Sequence, residues 1–240
     1  MPSLIPVTSA RLGEHLPLLD LLTDDAPLSW VRGGDGLVGW GSYAKTAVSG
    51  ANRFADARKW WHQQLEKFAI SDSVHLSGTG PVLFASFSFD PDEESVLVIP
   101  KIVVGMRNGS SWITWIGDQP QPALQEEKEI LADAEFNWGD GSLSPAEWQL
   151  RVAKAIDEIE KTELEKVVLA RDLIVNSHRP IDARKILRNL GSEYPSTWIF
   201  AVDGLVGATP ELLLRLSRGM VTSRVLAGTI SKTGDDEKDL

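Results

Sequence analysis

The sequence predicts an α+β fold of antiparallel sheets with flanking helices, on three observations. Short apolar segments alternate with period two around Gly- and Asn-containing turns, as in SWVRGGDGLVGWG (29–41) and in the stretch from 95 to 116. Two other stretches, 54–68 and 144–162, carry apolar residues at helical spacing instead. Strands and helices follow no strict strand–helix–strand rhythm, which argues against a doubly wound parallel sheet.

Composition bounds the function. At 240 residues the chain can bury a sizeable core, and one large domain is the default expectation. A hydrophobic fraction of 42% with 24% charged residues is an ordinary globular composition. No run approaches the roughly 18 apolar residues of a spanning helix, and the N-terminus lacks a signal-peptide pattern, so a cytoplasmic protein without a membrane partner is expected. The absence of cysteine excludes disulfides, thiolate metal sites and a cysteine nucleophile, leaving a carboxylate-held metal open. A formal charge of −10 repels phosphodiester backbones, so nucleic acid is not an expected partner; a monomer is the expected state. The nine tryptophans read mostly as packing residues rather than stacking platforms.

In chain order, residues 1–25 read weakly, with one short helix among the leucines of 15–22 before the stop at Asp24-Asp25-Ala26-Pro27. A hairpin follows over 28–40. Its glycines could cradle a phosphate, but no Lys-Ser/Thr and no helix opens from them, so they read as turn residues. Phe54, Ala57, Trp60, Trp61, Leu65 and Phe68 define an amphipathic helix. Segments 82–89, 95–104 and 111–116 read as an antiparallel meander turning through MRNGSS. Proline, glutamine and acidic residues dominate 118–129, 137–144 reads as an exposed Gly/Asp/Ser stretch, and neither reads as a domain linker. Ser144-Pro145-Ala146-Glu147 has the form of a capping box with proline at the first helical position, opening a helix that ends near Lys161-Thr162. Lys166-Val167-Val168-Leu169-Ala170-Arg171 reads as a buried strand with polar ends. A helix over 182–190 closed by Gly191, a strand over 198–202 and a hairpin of 212–216 with 220–227 complete the order.

No nucleophile elbow, dinucleotide fingerprint or phosphate loop occurs, and His15, His62, His75 and His178 stand singly without metal-pair spacing. Two placements stand out: a lysine opening an apolar run, Lys166, and a glutamate held behind proline, Glu211. Each has two readings. Lys166 is either a snorkelling strand-end lysine or a base aimed at a partly apolar cavity, where desolvation would lower its pKa. Glu211 is either a solvated strand-edge carboxylate or an acid.

Three ordered segments carry a family resemblance. Glu165-Lys166-Val167-Val168-Leu169-Ala170-Arg171 resembles the KVVLAR segment of isochorismate synthases. Gly207-Ala208-Thr209-Pro210-Glu211-Leu212-Leu213 resembles their GASPE-Leu-Leu segment, and Val225-Leu226-Ala227-Gly228-Thr229 is similar to the LAGT strand of chorismate-utilising enzymes. The stretch 84–100 also resembles the family's β meander. The resemblance implies a chorismate-utilising-enzyme-like fold, with residues 1–240 as the N-terminal part of a single chorismate-binding domain whose C-terminal part is absent.

By the same resemblance the chain is expected to come from an isochorismate synthase of menaquinone biosynthesis, a relative of salicylate, anthranilate and aminodeoxychorismate synthases. Such enzymes add a nucleophile at C2 of chorismate and expel the C4 hydroxyl. Lys166 is then the base that takes a proton from water, Glu211 the acid that protonates the leaving hydroxyl, and Ala227, Gly228 and Thr229 contact the substrate. Lysine at this position favours water over ammonia, for which anthranilate synthases carry glutamine. Salicylate synthases share the lysine and form the alternative; a non-catalytic binding or scaffold fragment is the second. The family's magnesium ligands are glutamates downstream of LAGT, so magnesium is the expected cofactor, its ligands are expected beyond Leu240, and the 240 residues alone are expected to be inactive.

Overall fold

The structure is a computed structural model that describes residues 3–13, 16–24, 26–124, 135–217 and 219–224. The chain divides into two compact units, one of Met1–Ile130 with Ala183–Leu240, the other of Leu131–Asp182.

The first unit holds β1 (Ile5–Arg11), β2 (Leu28–Arg32), β3 (Asp35–Val48), α1 (Arg53–Leu65), β4 (Phe68–Asp72), β5 (Phe84–Ser86), β6 (Ser95–Arg107) and β7 (Ser110–Ile116). The second holds β8 (Phe136–Asp140), α2 (Pro145–Lys161) and β9 (Leu173–Ser177). The chain then returns to the first unit with α3 (Ala183–Glu193), β10 (Trp198–Val202), β11 (Leu205–Thr209), β12 (Leu212–Ser217) and β13 (Met220–Arg224). A nine-stranded sheet runs in the order β11-β10-β2-β3-β6-β7-β1-β4, with β5 added on β6. Its pairings are antiparallel except β1 with β4. The fold class is the α+β arrangement the sequence predicts.

The hairpins form where the turn chemistry allows them. Arg32 pairs with Asp35 across Gly33-Gly34, both at positive φ, and Arg107 pairs with Ser110 across Asn108 and Gly109, also at positive φ. Two residues in the left-handed region match the twist of the flanking strands. One face of the sheet buries Val38, Val104, Ile113 and Ile199 beneath Leu18 and Leu187 of α3. Elsewhere α1 lays Trp60, Trp61 and Leu65 against Val7, Phe68 and Ile99. Most tryptophans do pack: Trp40, Trp112 and Trp115 are buried and Trp60, Trp61, Trp148 and Trp198 half-buried, while Trp30 and Trp138 are exposed.

Several local expectations are corrected. The weakly read N-terminus contains β1 as well as a short 3-10 turn at Leu18–Leu21. Polar residues disguise that strand: Ser9 is buried, its hydroxyl 2.8 Å from that of Thr114, while it also accepts the Gly80 amide at 3.0 Å. Phe68 opens β4 rather than closing α1, because the helix has already ended at Leu65. Residues 136–140 form a strand, paired with β9, that overlaps the 137–144 stretch read from its Gly/Asp/Ser composition. The helix expected over 182–190 runs through Gly191 to Glu193. There a Cβ would come within 2.7 Å of Leu19 Cδ1, so the glycine serves helix–turn approach rather than a cap.

The largest correction concerns 166–171. No residue of 164–170 is in a helix or strand, all are exposed, and Val168 is 82% accessible. The strand begins instead at Leu173. A β-branched apolar run becomes a buried strand only if a neighbouring strand accepts its hydrogen bonds, and among the described residues none pairs with it.

Candidate functional site

Glu211 sits between β11 and β12, just past the sheet edge that β11 forms. Its backbone amide donates to Thr209 Oγ1 at 3.2 Å, and Pro210 fixes the intervening φ, so the turn presenting the glutamate is locally defined. The residue is exposed.

Beside this turn, a cleft of about 490 Å³ opens on the sheet face opposite Leu187. Trp30, Leu37, Phe84, Phe200 and Val202 make its wall largely apolar, and the hydroxyl-bearing residues Ser29, Ser86 and Thr209 also line it. Trp30 stacks on Trp198 with centroids 5.1 Å apart, and the Arg32 guanidinium lies 5.6 Å over the Trp198 ring. Trp198 Nε1 is buried without a hydrogen-bond partner. The cleft is not visible in the sequence because it draws on β2, β3, β5, β10 and β11 at once, and only alternation along each strand hints at a shared face.

Lys166 lies in the second unit, on the exposed connector between α2 and β9. The far end of that connector is anchored. Arg171 pairs with Asp140 at 3.3 Å, and the Asp172 carboxylate accepts from the Ser142 amide at 2.9 Å and from its hydroxyl at 2.6 Å. Hydrogen bonds from the Ser142 side chain and backbone hold the Asp172 carboxyl below the usual range. The exposed lysine lacks the apolar, desolvating surroundings that the buried-strand reading supplied.

Lys166 and Glu211 therefore fall in different units, each exposed. Ala227, Gly228 and Thr229 lie outside the described residues, as does His15. The other histidines, His62, His75 and His178, are exposed. Among the described residues no three His, Asp or Glu side chains gather to hold a metal, and no helix is long and apolar enough to cross a membrane.

Comparison with known proteins supplies the family. The chain is 27% identical over 238 residues to isochorismate synthase MenF of Bacillus subtilis, covering 85% of this chain and 50% of that protein. It is 28% identical over 184 residues to isochorismate synthase EntC of Escherichia coli, covering 74% and 44%. The fold matches the menaquinone-specific isochorismate synthase MenF of E. coli with a TM-score of 0.67 at 18% identity, over 98% of this chain and 57% of that one. The chain thus spans about half the length of these relatives. Residues 31–240 match the model of the chorismate binding enzyme family, and the chain belongs to that family.

Proposed function

We propose that this chain is part of an isochorismate synthase, converting chorismate to isochorismate by adding water at C2 and losing the C4 hydroxyl, in menaquinone supply. The observation that carries the reading is the similarity to isochorismate synthases over 85% of the chain, taken with the lysine that opens the KVVLAR-like segment.

In this reading Lys166 takes a proton from the attacking water. Water is a poor nucleophile at neutral pH, and a neutral amine within reach removes that proton as the bond to C2 forms. Glu211 gives a proton to the departing C4 oxygen, since hydroxide is a poor leaving group. The pair divides acid from base by environment, which requires both residues to lose contact with bulk water in the working site. Ala227, Gly228 and Thr229 contact the substrate. Magnesium supplies positive charge against a substrate carboxylate when bound. No group of three His, Asp or Glu side chains among the described residues fits it; by the family resemblance its ligands lie in the part of the family's length not spanned here, and neither acid–base role is routed through it.

The test combines the 240 residues with a polypeptide spanning the rest of the family's length, in chorismate and magnesium. Isochorismate, separated by chromatography, is the expected product. Lys166→Gln and Glu211→Gln are each expected to lower kcat by about 10²–10⁴-fold. Unchanged kcat in the lysine variant overturns the base assignment, and ammonia-dependent product in that variant supports it. Salicylate with pyruvate as the product overturns the isochorismate reading in favour of salicylate synthase.

A further inference from the structure

Among the described residues, no strand pairing holds the backbone of Glu211. β11 ends at Thr209 on the edge of the nine-stranded sheet, β12 opens a separate two-stranded sheet at Leu212, and residues 210 and 211 belong to neither. Pro210 has no amide hydrogen, so the Glu211 amide is the first donor past the large sheet. That amide donates to the Thr209 hydroxyl at 3.2 Å, closing a side-chain-to-backbone turn over two residues. One proline φ and one hydroxyl thus link the sheet to the glutamate.

The sheet end of that link is well fixed. Thr209 pairs with Trp198 and Gly207 with Phe200, so Thr209 shares a face with Trp198, Phe200 and Trp30. The Phe200 ring covers Gly207, where a Cβ would come within 2.7 Å of Phe200 Cζ, and the close fit seats β11 against β10. Thr209 is half-buried, and its branched side chain is stiff at χ1, which fixes the direction of the hydroxyl. We propose that Thr209 is a positioning residue: its hydroxyl sets the Glu211 backbone, and through it the carboxyl that protonates the departing C4 oxygen. The proposal rests on the reading of the chain as part of an isochorismate synthase with Glu211 as its acid. Proton transfer requires the carboxyl within hydrogen-bond reach of that oxygen, and a misplacement of about 1 Å costs up to about 10²-fold in rate. Substrate binding has no such requirement, so the loss falls on kcat rather than on KM.

Two substitutions separate the hydroxyl from the shape of the side chain. Thr209→Val keeps the branched shape and removes the hydroxyl, whereas Thr209→Ser keeps the hydroxyl and removes the methyl. Each is compared with the parent when the 240 residues are combined with a polypeptide spanning the rest of the family's length, in chorismate and magnesium. Thr209→Val is expected to lower kcat by about 10–100-fold with KM within about twofold, and Thr209→Ser to keep kcat within about threefold of the parent. In the 240-residue chain alone, the Glu211 amide, followed by nuclear magnetic resonance, is expected to exchange at least about fivefold faster in Thr209→Val and at the parental rate in Thr209→Ser. Melting temperatures of the three chains are expected to agree within about 3 °C.

Parental kcat in Thr209→Val overturns the proposal. An equal loss in Thr209→Ser also overturns it, because the packing of the side chain is then what matters. Equal Glu211 exchange in all three chains shows that the hydroxyl does not hold the turn, and a larger fall in melting temperature in Thr209→Val assigns the loss to the sheet; either result overturns the proposal too. The failure of the underlying reading looks different. No isochorismate from the parent combination removes the proposed function, and an active parent with an unimpaired Glu211→Gln removes the acid assignment, each taking the role of Thr209 with it.

Discussion

Gly105 lies directly across β6 and β7 from Trp112, whose indole fills the space a side chain would take. A Cβ there would stand 2.2 Å from Trp112 Cζ2 and 2.8 Å from Leu37 Cδ2. Trp112 cannot give way easily, since it is 1% exposed and its Nε1 donates to the Gly78 carbonyl at 3.2 Å. Gly105→Ala is therefore expected to destabilise the chain by about 2 kcal/mol through overpacking, read as a lower urea midpoint at unchanged slope. A midpoint equal to the parent's would show that the ring relocates freely. The sequence left this glycine unassigned between the 95–104 segment and its turn, because the demand on it comes from a residue on the next strand. Lys166 and Glu211 present the reverse case. Their placement stood out but residue physics left each with an ordinary reading, the structure leaves both exposed, and only the motifs around them assign them roles.

Elements were legible where their determinants are local. The Ser144 hydroxyl accepts the Glu147 amide and the Glu147 carboxylate accepts the Ser144 amide, so the capping box read from four residues is present and α2 begins at Pro145 as expected. The two tight hairpins were legible for the same reason: their turn residues decide them. The 166–171 run was misread because strand formation needs a partner elsewhere in the chain, and a β-branched sequence cannot say whether one is there. This contrast predicts how α2 behaves in isolation. A peptide covering 142–163 is expected to show measurable helicity by circular dichroism near 4 °C, falling by about half on Ser144→Ala as the cap is lost. Equal helicity in both peptides would mean that the cap seen here does not set the helix start.

At the scale of the whole molecule, acid stability follows from three carboxylates held below their ordinary pKa. For Asp72 burial pushes upward, but the Thr79 hydroxyl, the Val74 and His75 amides and the His75 charge outweigh it and set the net direction downward. Glu147 is lowered by hydrogen bonds from the Ser144 hydroxyl and amide, and Asp172 by those from Ser142. A carboxylate whose folded pKa lies below its unfolded value binds fewer protons when folded. Its contribution is complete above the unfolded value, roughly pH 4 for Asp and Glu, and is lost as pH falls through the folded one. Melting temperature is therefore expected to stay nearly flat from pH 7 to about pH 5 and to fall steeply below about pH 4. Asp72 ties the loop 72–79 to the end of β4, so its share belongs to the large sheet. Asp72→Asn is expected to lower the melting temperature at pH 7 by about 2–4 °C, the scale of one weakened hydrogen-bond set, and to make the acid limb shallower. Calorimetry across pH 3–7 on both proteins checks this, and parallel acid limbs would show that Asp72 takes no part in the loss.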